Sequence, residues 1–154
     1  MPNLLHIVLH EPEIHPNTGN IARLCAATGT RLHLIEPLGF RIDESSIKRA
    51  GLDYWPYVDL QKHINWAAFN QSMPGARSWF FTTKAKQSYT SIEYAWGDCL
   101  IFGSETRGLP QELLKTHWVQ CVTIPMLTNH VRSLNLATAA AVALYEALRQ
   151  LGKT

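Results

Sequence analysis

The sequence predicts an α/β fold: one domain with a mostly parallel sheet flanked by helices. Two observations predict it. Short apolar runs of strand length recur along the chain, with helix-spaced segments between them. Three polar loops, two of them glycine-bearing, follow predicted strands, and open α/β sheets bind ligands beyond such strand ends. The 154 residues suffice for one domain with a real core, and 46% hydrophobic with 17% charged residues is ordinary for a globular protein.

The first strand is the apolar run Leu4–Leu9, LLHIVL. The loop HEPEIHPNTGN leads into a helix whose Ile21, Leu24, Cys25 and Thr28 share a face, with Gly29 as its stop. RLHLIEP is a second strand, ended by Pro37. DESSIKRAG reads as a short helix, acidic at its start and basic at its end, as the helix dipole favours. WPYVDLQKHINWAAFNQ predicts a short extended piece and then a helix from Leu60 to Asn70. SWFFTT and DCLIFG are strands, PQELLKTH a short helix with proline at its first position, and VQCVTIP a further strand. The last helix carries Leu134, Ala137, Ala141, Leu144, Leu148 and Leu151 at steps of three and four.

A net charge of +2 is too small for binding nucleic acid by charge alone, but it permits an RNA partner if basic residues cluster. No apolar run approaches a membrane span, and no basic leader precedes a cleavage site, so a cytoplasmic protein without a membrane partner is expected. Cys25, Cys99 and Cys121 are odd in number and far apart, which suits reduced thiols. The seven histidines are scattered and no spacing suggests zinc, so no metal is expected. There is no GxxxxGK[ST] phosphate loop, no G-x-G-x-x-G after the first strand and no G-x-S-x-G elbow.

The three loops are PNTGNIAR (16–23), FGSETRGLP (102–110) and IPMLTNHVRSLNLA (124–137). Each has a plain structural reading. Asn17 and Thr18 suit a helix cap, Glu105 and Arg107 a surface ion pair, and Ser133 and Asn135 the cap of the last helix. Their joint occurrence at strand ends, with glycines that let main chain approach a ligand, points instead to a small-molecule pocket.

In this order, NTGNIARLCAATG, LIFGSETRGLP and IPM…RSLNLATAAAVALYEALRQ resemble the three motifs of the SPOUT superfamily of RNA methyltransferases. The resemblance covers Leu5 to Leu151. EPEIHPNTGNIARLCAATG, AGLDYW and TTKA look most like the minimal members that 2′-O-methylate the wobble nucleotide, cytidine or modified uridine, of certain leucine tRNAs. Val131 departs from the pattern: that subgroup commonly has Ser-Arg-Ser-x-Asn-Leu there, and this loop is one residue longer.

The resemblance implies a C-terminal deep trefoil knot, a homodimer through the first and last helices, and no separate RNA-binding domain. It implies S-adenosylmethionine as methyl donor, with Phe81, Gly103, Ile124 and Ser133 as cofactor contacts. Arg23, placed in the first turn of its helix, would stabilise charge on the attacking 2′-oxygen; Asn17 and Asn20 would order that loop, Glu105 would orient Arg23 or the substrate, and Asn135 and Ser133 would bond the ribose or the cofactor. Arg132, Tyr145 and Arg41 are the substrate-binding candidates, and Lys48, Arg49, Lys84, Lys86 and Trp55 further RNA contacts. The rival readings are a same-fold enzyme for another tRNA position or ribosomal RNA, and a non-catalytic RNA-binding dimer.

Overall fold

A computed structural model describes residues 3–43, 45 and 53–154. Six strands are joined in one sheet: β1 (His6–His10), β2 (Arg31–Ile35), β3 (Leu60–His63), β4 (Ser78–Phe81), β5 (Cys99–Phe102) and β6 (Cys121–Val122). Their order is β3-β2-β1-β5-β4-β6, and every pair is parallel. Among the described residues, four α-helices accompany them: α1 (His15–Thr28), α2 (Trp66–Ser72), α3 (Gln111–Thr116) and α4 (Leu136–Gln150).

Alternation along the strands splits the core in two. Ile7 and Leu9, Leu32 and Leu34, Leu100 and Phe102 point to the face covered by α1 and α4. Val8, Ile35, Phe80, Cys99 and Ile101 point the other way, where Phe69 of α2 and Leu114 of α3 cover them. Both faces are thus apolar, as a parallel sheet requires. All three cysteines are free and buried. No helix among the described residues is long and apolar enough to cross a membrane.

Three expectations change. Leu60–His63 is an edge strand, not the start of a helix; α2 begins only after Asn65, whose side chain accepts a bond from Ala68 N–H. Helix α1 begins at His15, so PNTGN lies inside it, and Arg23 is the ninth residue, in the third turn. The expected final strand shortens to Cys121–Val122 after a 3-10 turn over Trp118–Gln120. Of the DESSIKRAG helix, most positions, Lys48 and Arg49 among them, lie outside the described residues.

The histidines that look scattered in sequence are gathered by the sheet. His6, His33 and His63 lie on one face of β1, β2 and β3. His6 Nδ1 is 2.9 Å from His33 Nε2, and His33 Nδ1 is 2.9 Å from His63 Nε2. All three are buried, and Phe69 packs edge-on against two of them. Burial lowers the His6 pKa to about 4 and that of His33 to about 3, and lowers His63 as well. Such groups are neutral when folded and take up protons on unfolding. Their contribution to stability is therefore complete above about pH 6.5 and is lost as pH falls towards 4. Urea unfolding should show stability dropping between about pH 6.5 and 5, a window in which histidine is the ordinary titrating side chain. A flat profile there would contradict the neutral array.

Candidate active site

The carboxyl ends of β1, β4, β5 and β6 open on one cleft of about 520 Å³, a volume suited to a nucleoside-sized ligand. Phe81 and Phe102, register neighbours at the ends of β4 and β5, stack in its wall with centroids 4.7 Å apart. The loop after β5 folds sharply back on itself. Gly108 takes φ 66°, and its N–H bonds the Ser104 carbonyl at 3.0 Å. A β-carbon on Gly103 would run into the backbone of Gly108 and Leu109. Both glycines therefore serve the loop's own closure. This corrects the idea that Gly103 is small chiefly to admit a ligand; it lines the cleft, but its missing side chain makes room for the returning chain.

Glu105 binds the start of α1. Its Oε1 accepts from Glu13 N–H at 2.8 Å, and its Oε2 from Ile14 N–H at 2.8 Å and Asn17 Nδ2 at 3.1 Å. Ile14 is the N-cap of α1, which has no side-chain cap of its own, so Glu105 gathers the N-cap N–H, the N–H before it and a first-turn side-chain amide. Asn17 is therefore not the cap. Glu13 returns the contact, accepting from Thr106 N–H at 2.9 Å and Thr106 Oγ1 at 2.7 Å, and those bonds hold its carboxyl below the usual range. Asn17 Oδ1 in turn accepts from Asn135 Nδ2 at 2.9 Å. Asn135 caps α4 as well: its Oδ1 accepts from Thr138 N–H at 3.1 Å. One residue thus meets both readings of the third loop.

The cleft brings together Asn17, Phe81, Gly103, Glu105, Ile124, Arg132, Ser133 and Asn135. It does not include Arg23, Arg41 or Tyr145. Arg23 is exposed on α1, its guanidinium 5.9 Å over the Tyr54 ring, and Tyr54 Oη donates to the Gly19 carbonyl at 2.9 Å. Arg41 is exposed and pairs with Asp43 at 3.3 Å. Tyr145 lies on the outer side of α4. Glu13, Thr106 and Ser104 belong to the site's frame but were not singled out as site residues in the sequence, where Arg107 was named only as part of the second polar loop. The Glu13–Thr106 contact spans 93 positions, and no local pattern announces it.

The SpoU rRNA Methylase family matches residues 4–145. The chain belongs to that family. A tRNA (cytidine(34)-2′-O)-methyltransferase of Methylovorus glucosotrophus is 51% identical over 148 residues, 96% of each chain. Its counterpart in Escherichia coli K12 is 48% identical over 97% of this chain and 95% of that one. A structure solved for insight into the 2-OH methylation of C/U34 on tRNA superimposes with TM-score 0.91, at 50% identity and full coverage of both chains. An AdoMet-bound rRNA methyltransferase of Sinorhizobium meliloti has TM-score 0.82 at 25% identity, and is matched over 98% of this chain and 58% of its own.

Within this SpoU fold, replacing Glu105 by Ala should lower stability by about 2 kcal/mol or more, because charged hydrogen bonds to the α1 start are lost. Gly103→Ala should destabilise further, since backbone must move. Thermal melts of both variants check this. A Gly103→Ala protein that melts like the wild type would mean the loop is not closed as described.

Proposed function

We propose that this chain transfers a methyl group from S-adenosylmethionine to the ribose 2′-oxygen of tRNA nucleotide 34, a cytidine or modified uridine, in certain leucine tRNAs. The observation that carries the reading is the convergence of Asn17, Glu105, Ser133 and Asn135, from three separate sequence motifs, on one cleft. Relatives that bear the nucleotide-34 name at 48–51% identity over nearly the whole chain support it.

Phe81, Gly103, Ile124 and Ser133 would hold the cofactor, against the stacked ring pair and the loop main chain that line the cleft. When bound, S-adenosylmethionine supplies an activated methyl group on a sulfonium. Among the described residues no His, Cys, Asp or Glu cluster is arranged to hold a metal.

The chain's own task is to hold the ribose oxygen in line and stabilise its developing charge, and positioning of that kind lowers barriers substantially. Glu105 lines the cleft, but both its oxygens are engaged by α1. It is a positioning residue, and so is Asn135, whose amide is used on both sides. Arg23 is permanently cationic and acts as an electrostatic and anchoring group rather than a base.

Arg23 stands outside the cleft of its own chain, on α1, which is the helix assigned to the dimer contact. We therefore assign its role to the assembled homodimer, in which two copies also pool their RNA surface. The knotted path of the C-terminal part belongs to the same reading; its support is the family membership.

Two measurements test the proposal. Ribose methylation should disappear from nucleotide 34 of leucine tRNA in a deletion strain, read by mass spectrometry, and return with the gene. Arg23→Ala should abolish single-turnover transfer while cofactor affinity by calorimetry stays near wild type; transfer at the wild-type rate would remove Arg23 from the mechanism.

The dimer has its own test. Ala140 and Ala143, both fully buried within one chain, face the sheet and cannot report on assembly. Thr138, Ala141 and Tyr145 share the more open side of α4. Ala141→Arg should shift the protein towards monomer in sedimentation at micromolar concentration, whereas a wild type already monomeric would sink the dimer.

A further inference from the structure

Three cations line a cleft assigned to a cofactor that itself carries a sulfonium. Lys84 comes from the turn after β4, Arg107 from the loop after β5, and Arg132 from the loop before α4. All three are exposed. The carboxylate lining the same cleft, Glu105, is engaged by the start of α1. The residues lining the cleft thus include three cations against one carboxylate, although the whole chain carries only +2.

The cofactor does not account for this. At neutral pH S-adenosylmethionine bears one carboxylate against an ammonium and a sulfonium, so one cation would satisfy its single negative group. Further cations would repel it on balance. Cations brought in on separate loops suit a ligand with several negative charges along a chain, such as the phosphodiesters on either side of a ribose.

Arg107 has an unusual ion-pair neighbour. Its Nη2 lies 3.6 Å from Glu11 Oε1. Glu11 directly follows β1 and has φ 53°, the one non-glycine in the left-handed region among the described residues. Its N–H bonds the Ile35 carbonyl at 2.9 Å, which fixes that conformation. Glycine or asparagine would take this backbone at less cost, so the glutamate here runs against local preference. Backbone of this kind concentrates at functional positions. The pairing engages one side of a guanidinium that has five donors, leaving others for a phosphate.

We propose that Lys84, Arg107 and Arg132 form one phosphate-binding cluster at the mouth of the cleft, with Glu11 setting where Arg107 stands. The cluster seats the RNA backbone beside the target ribose. This rests on the reading that tRNA is the substrate.

The test is tRNA binding as a function of salt, between about 50 and 200 mM, for the full-length protein and for Lys84→Ala, Arg107→Ala and Arg132→Ala. Each variant should bind tRNA more weakly and lower the slope of log affinity against log salt by about 0.7 to 1. S-adenosylhomocysteine affinity, by calorimetry, should not change. Arg107→Lys should keep the slope while losing affinity, because charge remains and the planar fork does not. Glu11→Gln should weaken tRNA binding in the wild-type background and have no further effect on Arg107→Ala. An unchanged slope for Arg107→Ala, or a loss of S-adenosylhomocysteine affinity in its place, overturns the cluster. Because binding needs no turnover, a protein that binds tRNA with these slopes but transfers no methyl would refute the enzymatic reading and leave the cluster standing. A wild type that binds no tRNA overturns both.

Discussion

Glu105 joins the loop after β5 to the chain entering α1 and to its first turn through three hydrogen bonds, and the relative placement of the other motif loops depends on that junction. The N-terminus of a helix presents unpaired N–H groups and a partial positive charge, so a carboxylate there is favoured twice. In most helices that group comes from the sequence next door. Here it comes from a position 92 residues away, and Glu13 reciprocates by capturing Thr106. Asn17 then passes the register to Asn135, which caps α4. Three loops and two helices are locked by one polar relay, and the cleft is the space they leave.

The sheet makes that relay possible. Because all strand pairs are parallel, the carboxyl ends of β1, β5, β4 and β6 lie side by side, and the loops leaving them meet at one end. The stacked Phe81 and Phe102 give this end an apolar wall, and the tight return at Gly103 and Gly108 keeps the loop after β5 compact enough for Glu105 to reach α1.

The two ends of the sheet differ in how they treat charge. At the amino end, Asp98 is almost fully buried and is satisfied by Arg77, the Trp79 indole and Ala95 N–H. Removing one partner of such a buried pair generally costs several kcal/mol, so this cluster is structural. At the carboxyl end the cations are exposed, and the site's carboxylates serve the helix start, the returning loop or Arg107. Between the ends, the three histidines form an uncharged strip across the sheet face opposite α1 and α4.

Much of this is legible in the sequence because it is written in local terms. Apolar runs of strand length gave the α/β class and most of the strands, and a single chain segment carries each motif loop, so Asn17, Glu105, Ser133 and Asn135 could be named. What the sequence could not supply is pairing across long separations. Leu60–His63 looked helical because its edge position is defined only by β2 beside it. The histidines looked unrelated because only the diagonal across β1, β2 and β3 joins them. Arg23 looked close to the site because α1 was expected to start later than His15; with the earlier start it lies inside the helix, six residues beyond the cleft-lining Asn17, and on the exposed side. Residue types and local periodicity are properties of the chain, and the sequence determined them. Which carboxylate caps which helix, and which cations face one cleft, are set by parallel register and loop closure, and tertiary structure alone decided those.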